Sequence, residues 1–252
     1  VVPGIGISIF VGNMWYFFEA CQLAKKEKRQ NVTAQPFGIG ASQLSGWLYL
    51  IIGPVYWQTK DSTLALQVGI AASFLGGFIE IIGGIAGRWI VSYVPSAALM
   101  GNMASAGLVW LSIVGIAMVF DKPIYGLLPM LIIIMDYLGK ADKKFQKLPS
   151  GLIAIIVGTV IAWGGGFLTL DNFRLSFANI GFYPPKPDVF DIVAGFKGLI
   201  PFLPVILPLQ INNFLSTLQG LEAAKVAGDA YPERRSMIMD GVSTLTGALF
   251  GS

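Results

Sequence analysis

Long apolar runs alternate with short polar connectors along the whole chain. Eight apolar segments can be marked, near residues 3–24, 37–58, 63–87, 89–120, 123–139, 150–170, 199–221 and 236–252. A run of about 18 or more apolar residues is long enough to cross the hydrocarbon core of a bilayer as a helix. The pattern therefore predicts an all-α polytopic membrane protein with about eight transmembrane segments.

The composition excludes several other classes of protein. Of the 252 residues, 54% are hydrophobic and 12% are charged, whereas soluble domains carry about 25% charged residues. The single cysteine, Cys21, rules out an internal disulfide, and histidine, a common metal ligand and general base, is missing from the sequence. We therefore predict that the chain is not an enzyme and holds no cofactor.

The basic residues predict the orientation of the chain. If each segment crosses once, 12 of the 17 lysines and arginines fall on one side. Cytoplasmic loops carry the excess of basic residues, so Lys25–Arg29, Lys140–Lys147 and Glu233–Arg235 are predicted to face the cytoplasm of a bacterial plasma (inner) membrane. The connector 171–198 is predicted as an external loop, with a surface helix as the alternative. The net charge is +3, and the basic residues lie in short connectors beside apolar runs. This arrangement indicates a lipid bilayer as partner and no nucleic acid.

The second apolar segment begins with residues that disfavour a helix. Its sequence TAQPFGIGASQ, residues 33–43, combines a proline and two glycines with polar side chains. Backbone groups freed at membrane depth must contact protein or a water-filled cavity, and transporters use such broken helices as solute sites. The alternative is an ordinary helix entry with proline in its first turn.

Polar side chains share one arc of the segment near 199–221. At about 100° per residue, its amides and hydroxyls fall opposite its large apolar residues. Unpaired amides in hydrocarbon are costly, so the arc predicts a solute-lining face, with interhelical hydrogen bonding as the alternative. The polar arc comprises Gln210, Asn212, Asn213, Ser216, Thr217 and Gln219.

Three acidic residues are candidates for coupling to an ion. Glu80 lies well inside its apolar segment, where an acid predicts a proton or cation relay or else a hydrogen-bonded structural group. Asp240 begins the last segment and also suits a helix N-terminus. Glu222 lies one turn past the polar arc, where it either closes a site or pairs with Lys225.

Two blocks of sequence resemble a known family. They are GNMWYFFEACQLAKKEKRQNVTAQPFGI and STLQGLEAAKVAGDAYPERRSMIMDGVSTLTGALFGS, and they are similar to parts of the xanthine/uracil/vitamin C permease group of the nucleobase–ascorbate transporter superfamily. The resemblance implies a homodimer whose subunits contain two inverted repeats of seven spans, divided into core and gate domains. Residues 1–88 would be spans two to four of the core, 89–170 gate spans five to seven, and 199–252 core spans eight and nine. The first span and those from the tenth onwards would then be missing.

The resemblance also implies a function and a site. The function is secondary active transport of nucleobases such as xanthine or uracil, coupled to a proton or sodium gradient. Asn213 matches the position where characterised uracil carriers hold a substrate-binding carboxylate. The substrate-binding residues predicted from the resemblance and the polar arc are Gln35, Phe37, Gly38, Gln210, Asn212, Asn213 and Thr217.

The amide at position 213 leaves the coupling mechanism open. An amide can bind the edge of a nucleobase but cannot take up a proton, so coupling would fall to Glu80, Glu222 or Asp240, or else proton symport does not occur. Two alternatives keep the membrane fold: a carrier of an inorganic or organic anion, and a non-transporting scaffold. In a scaffold, side chains from other helices would fill the polar arc and leave no cavity.

Overall fold

The computed structural model describes residues 1–93, 95, 97–98, 101, 104–105, 107–138, 149–178, 180–187 and 189–252. Every regular element within these residues is a helix, as the sequence predicts. The predicted connector Lys140–Lys147 lies outside the described residues. Two compact units divide the chain: Val1–Ala106 with Tyr183–Ser252 forms the first, and Gly107–Phe182 forms the second.

α-Helices account for most of the described residues and follow one another closely along the chain. They are α1 (Val2–Glu27), α2 (Ala41–Gly46), α3 (Gly53–Thr59), α4 (Ser62–Tyr93), α5 (Val114–Asp121), α6 (Pro123–Leu138), α7 (Ser150–Gly164), α8 (Leu170–Ala178), α9 (Val189–Leu199), α10 (Leu203–Val226) and α11 (Glu233–Leu249). A π-helical segment, Trp47–Ile52, joins α2 to α3, and a second, Gly107–Ile113, precedes α5. A 3₁₀ turn, Ile200–Phe202, joins α9 to α10.

Local chemistry sets the boundaries of the helices in the first unit. Helix α1 ends at Lys28, whose left-handed φ of 53° terminates the helix. Asp61 caps α4, because its Oδ1 accepts hydrogen bonds from the amides of Thr63 and Leu64. Between α1 and α2, residues 31–40 contain no helix. Pro36 holds the preceding residue in an extended conformation, so helix resumes at Ala41.

Helix α4 is the centre of the first unit. It packs against α3, α9, α10 and α11, while α1 packs against α11. Two apolar clusters fill the interior. The first contains Ile51, Val55, Ala65, Val68, Ala71, Ala72, Leu199 and Ile206. The second contains Ala20, Leu23, Phe214, Leu218, Leu221, Tyr231 and Met237.

The second unit is a smaller group of apolar helices. Helix α6 packs against α5 and α7. None of the residues of α5 and α6 is buried, and large apolar side chains such as Met118 and Ile124 are 71% and 75% exposed. Apolar surface of this kind favours contact with lipid or with another protein chain.

Two predicted connectors are helical instead. Helix α4 passes through Gly87–Arg88, the junction of the predicted segments 63–87 and 89–120, and continues to Tyr93. Arginine favours a helix, and a single glycine costs it only about 1 kcal/mol. The predicted external loop 171–198 contains most of α8 and nearly all of α9. In α9, Asp191 lies in the first turn, where a negative charge favours a helix. The second compact unit runs from Gly107 to Phe182, and the division into core and gate domains, with the gate at 89–170, stays a prediction.

The apolar helices support association with a membrane. Among the described residues, two helical stretches are long and apolar enough to cross a bilayer, Ser62–Ala86 and Val189–Val226. The apolar helices Pro123–Leu138 and Ser150–Gly164 are shorter. The number of crossings, eight, stays a prediction.

Candidate functional site

A cavity of about 260 Å³ lies in the first unit where the non-helical residues before α2 meet α4, α10 and α11. Its walls are mainly apolar, with polar side chains at several points. No charged side chain lines it among the residues that the structure describes. The polar side chains of the lining belong to Ser8, Gln43, Trp47, Ser73, Gln210, Asn213, Thr244 and Ser252.

Asn13 fixes the position of Phe37 in the cavity wall. Its Oδ1 accepts a hydrogen bond of 3.0 Å from the amide of Phe37, and its Nδ2 donates one of 2.8 Å to the carbonyl oxygen of the same residue. The Phe37 ring also lies directly over Gly12, where an added Cβ would approach ring atom Cδ1 to 2.6 Å. The Asn13 side chain of α1 therefore satisfies the backbone amide and carbonyl groups of Phe37, which a helix would otherwise satisfy with its own backbone.

Gln210 reaches the cavity from α10. Its side chain is only 2% exposed, and its Oε1 has no hydrogen-bond partner within the described part of the chain. The amide lies against Gly76 of α4, so closely that a Cβ at position 76 would collide with it. A buried acceptor without a partner is costly, so this oxygen would be stabilised by any donor that reached it from the cavity.

Two carboxylates lie beside the same turns of α10. Asn213 Nδ2 donates a hydrogen bond to Glu80 Oε1, and the Thr217 hydroxyl donates one to Asp240 Oδ2. Glu80 is 1% exposed, and its Oε2 forms no hydrogen bond of ordinary geometry with the described residues. The Thr244 hydroxyl approaches the Glu80 carboxyl from α11. Helices α4, α10 and α11 thus bring together two acids, the buried Glu80 and the half-buried Asp240. The amide of Asn213 and the hydroxyls of Thr217 and Thr244 lie beside them.

Glycines allow α4 and α11 to touch beside these acids. A Cβ at Gly241 would lie 2.6 Å from the carbonyl oxygen of Gly77, and one at Gly77 would lie 2.9 Å from the carbonyl oxygen of Gly241. Gly77 is three residues before Glu80 and Gly241 follows Asp240. Only residues without a side chain permit this approach, which sets the spacing of the two carboxylates.

The other predicted site residues have different surroundings. Gln35 donates a 3.3 Å hydrogen bond to the carbonyl oxygen of Gly220, so it ties the non-helical segment to α10. Asn212 is half-buried, and its carbonyl oxygen accepts a bond from Ser216. Glu222 is buried and pairs with Lys225 at 3.0 Å. Gly38 lines the cavity and is exposed.

A cluster around Asp229 joins the two basic connectors. The Asp229 carboxylate accepts a 2.9 Å hydrogen bond from the amide of Thr33 and forms a salt bridge with Arg29. These two partners hold the pKa of Asp229 below its usual value. The Tyr231 hydroxyl donates to the carbonyl oxygen of Thr33, and burial, with the charge of Asp229, raises the pKa of Tyr231 to about 12. The connectors after α1 and α10 therefore lie at the same end of the unit.

Six of the polar residues that line the cavity were not among the predicted site residues: Ser8, Gln43, Trp47, Ser73, Thr244 and Ser252. Trp47 Nε1 donates a 3.1 Å hydrogen bond to the Ser73 hydroxyl, and both residues line the cavity with Thr244. Helical spacing carried a signal for two of them. Ser73 is two turns before Glu80 and Thr244 is one turn after Asp240, so each shares a helix face with a predicted acid. Trp47 gave no such signal.

The described residues contain no group of three or more acidic or cysteine side chains placed to hold a metal ion. The cavity and the acids behind it are suited to hydrogen bonding and to exchange of a proton. Comparisons of the chain with protein-family models, with curated proteins and with solved structures found no match.

Proposed function

We propose that this chain forms part of a secondary active transporter for nucleobases such as xanthine or uracil. A proton or sodium gradient would drive the transport. The observation that carries the proposal is the cavity between the non-helical segment and the polar arc of α10, with Phe37, Gln210 and Asn213 in its wall. A helix break facing an amide-rich helix is the arrangement by which transporters expose backbone and side-chain groups to a solute.

The lining fits a small, flat, uncharged solute. The cavity volume of about 260 Å³ is below the volume of roughly 300–1,000 Å³ that pockets for drug-sized molecules have. The Phe37 ring offers a face for stacking, and the amides of Gln210 and Asn213 can each donate and accept hydrogen bonds. The edge of a nucleobase carries alternating donors and acceptors, so it complements such amides.

The lining disfavours the two alternatives. An anion carrier needs positive charge at its site, and no lysine or arginine side chain of the described residues lines this cavity. A scaffold would fill the polar arc with side chains and leave no cavity. Glu80 and Asp240 do bond to Asn213 and Thr217 of the arc, but a cavity remains beside Gln210 and Asn213. The transporter hypothesis accounts for both observations.

The proposal includes a location in the bacterial inner membrane. The Asp229 cluster brings Lys25–Arg29 near Glu233–Arg235, as two connectors on one side of a membrane require. We place both in the cytoplasm by the positive-inside rule. A homodimer remains part of the proposal on the strength of the resemblance alone.

Uptake measurements test the function. Cells expressing the full-length protein are given radiolabelled uracil, xanthine and hypoxanthine, with and without a proton uncoupler. We expect saturable uptake of at least one base, lost in Asn213→Leu and retained in Asn31→Leu, whose side chain is in an exposed connector. Loss of uptake with the uncoupler identifies the proton as the driving ion, and dependence on external sodium identifies sodium.

A negative result would be equally informative. If both variants and the parent reach the membrane and none takes up any of the three bases, the nucleobase assignment is wrong. A panel of inorganic and organic anions then tests the second candidate.

A further inference from the structure

Asn213 belongs to two sites at once. It lines the cavity, and its Nδ2 donates a hydrogen bond to Glu80 Oε1. An amide has a donor end and an acceptor end, so binding one end to Glu80 leaves the other for the cavity. The state of Glu80 therefore determines what Asn213 offers to a solute.

The surroundings of Glu80 within the described residues supply hydrogen bonds but no positive charge. Its neighbours are the amide of Asn213, the hydroxyl of Thr244 and the like charge of Asp240. Asp240 has a hydroxyl donor in Thr217, which suits an ionised carboxylate. Glu80 Oε2, in contrast, is buried without a partner in the described part of the chain. This oxygen is the position at which Glu80 can accept a proton.

Charged groups on α9 and α10 lie farther away or are already paired, and Arg235 of α11, five residues before Asp240, acts on Glu19 of α1. On α9, Asp191 lies with Gln67, which is 13 residues before Glu80 and so about 20 Å away along α4. Helix α3 and the preceding π-helical segment contain no charged residue. On α10, Lys225 pairs with Glu222 and approaches Glu233. Tyr16 of α1 also faces the two acids, and its hydroxyl donates to the carbonyl oxygen of Ser236.

From this arrangement we infer that Glu80 binds an exchangeable proton and that Asn213 is a specificity-determining residue whose hydrogen-bonding face is set by that proton. With Glu80 ionised, Asn213 Nδ2 donates to Oε1 and Oδ1 is left for the cavity. When Glu80 binds a proton from the cavity side, the carboxyl group turns so that its new hydroxyl takes the place of Oε1 and donates to Asn213 Oδ1. The amide rotates by half a turn, and Nδ2 is left for the cavity.

The exchange conserves hydrogen bonds. One bond between Glu80 and Asn213 is present in each state, the proton moves onto a carboxyl oxygen, and no covalent bond of the chain breaks. The cavity changes from presenting an acceptor at position 213 to presenting a donor. The inference rests on the proposed function for its biological meaning, because a solute with an acceptor at this point would bind only with the proton.

Infrared difference spectroscopy of the full-length protein in detergent tests the proton site without any solute. We expect the carbonyl stretch of a protonated carboxylic acid to be present at the acid end of a pH titration and to disappear as the pH rises. Glu80→Gln should remove this band. Asn213→Leu should shift it, because the acceptor of the acid proton is lost. Glu19→Gln should leave it intact, since Glu19 is a buried acid bonded to Ser236 on α1.

The pH dependence of solute affinity is a second test of the inference. The affinity for the transported base should change about tenfold between the protonated and ionised states, the effect of one hydrogen bond on a binding constant, and should become independent of pH in Glu80→Gln. If that variant fails to fold, Glu80→Asp serves instead and should shift the infrared band.

Two results would overturn the inference. The first is a titrating band that survives in Glu80→Gln unchanged, and the second is the lack of any titrating carboxylic acid band in the wild type. Either could occur while uptake of bases is normal, so the inference can fail with the proposed function intact. Conversely, a chain that transports no base can still show the expected band.

Discussion

The amide of Gln210 stays in the cavity wall because Gly76 has no side chain. A methyl group at position 76 would collide with that amide, so Gly76→Ala should displace Gln210 and remove its free acceptor. We expect about tenfold weaker binding of the transported base, the factor that corresponds to 1.4 kcal/mol. Equilibrium binding to the purified protein measures this change.

Gly6→Ala is the matched control for this substitution. Position 6 is also helical, and an added Cβ there meets no atom within 4 Å. The control should bind solute like the wild type and melt at the same or a slightly higher temperature, because alanine favours a helix over glycine. Equal binding by the two variants would exclude Gln210 as a solute contact.

Asp229 makes the stability of the first unit depend on pH. Its folded pKa lies below the ordinary value of about 3.9, so the carboxylate is bound more favourably in the folded state. The stabilisation is complete above the ordinary pKa and is lost as the pH falls through the lowered one. Asp229→Asn should therefore melt below the wild type at pH 7, and the difference should vanish in acid. Thermal unfolding in detergent from pH 7 down to about pH 1, a range that passes through the lowered pKa, checks this.

A constant difference between the two melting temperatures across that range would contradict the role of the charge. It would assign the loss to the neutral hydrogen bond to Thr33 alone.

Sequence identified individual residues of the site but not their partners. Glu80 and Asn213 were each predicted from their polarity in an apolar segment, yet they are separated by 133 positions. Helical periodicity describes which residues share a face of one helix, and it contains no information on which two helices meet. Glu222, in contrast, pairs with Lys225 three positions along the same helix, which is the alternative that its spacing predicted.

At the level of the helices, the contact between α4 and α11 depends on Gly241. A Cβ at this position would lie 2.6 Å from the carbonyl oxygen of Gly77, and a backbone atom cannot move aside alone. Gly241→Ala should push the helices apart and destabilise the protein by about 1–3 kcal/mol. It should also weaken solute uptake, because Asp240 moves with its helix.

Gly115→Ala in α5 is the comparison for thermal unfolding. An added Cβ at Gly115 meets nothing within 4 Å, so this variant should melt at the wild-type temperature or slightly above it. Indistinguishable melting curves for the two variants would show that α4 and α11 do not need the close approach.

Proline together with glycine predicted one helix break, whereas Pro129 and Pro208 lie inside helices that they do not end. Pro36 and the neighbouring glycines predicted a poor helix start at 33–43, and residues 31–40 form no helix. The connector predicted at Gly87–Arg88 relied on polarity alone, and α4 runs through it.

Tertiary packing explains why Leu209, a large apolar residue, lies within the polar arc of α10. It packs over Gly46, where an added Cβ would lie 2.8 Å from the Leu209 side chain.

For the molecule as a whole, the outer face of α4 predicts contact with lipid. Its exposed side chains repeat with the helical period and are between 47% and 72% exposed. Spin labels at single cysteines replacing Ile82 and Ile85, in a Cys21→Ser background, should collide with oxygen far more than with a water-soluble relaxation agent. The stripe consists of Phe78, Ile82, Ile85, Trp89 and Tyr93.

A label at Lys28 provides the contrast. Lys28 is an exposed basic residue at the end of α1, so the water-soluble agent should reach it. If labels at Ile82 and Ile85 behave like the label at Lys28, the outer face of α4 meets water and the predicted crossing by this helix is wrong.

The first unit is assembled from the two ends of the chain, which imposes an order on its synthesis. At about 5–20 residues per second, the 133 positions between Glu80 and Asn213 correspond to roughly 7–27 seconds of translation. During that interval α4 has been made while the amide and hydroxyl partners of its acid have not. A nascent chain must therefore keep an acidic helix outside its final surroundings until α10 and α11 emerge. Premature termination anywhere before residue 213 should yield a product that quality-control proteases remove.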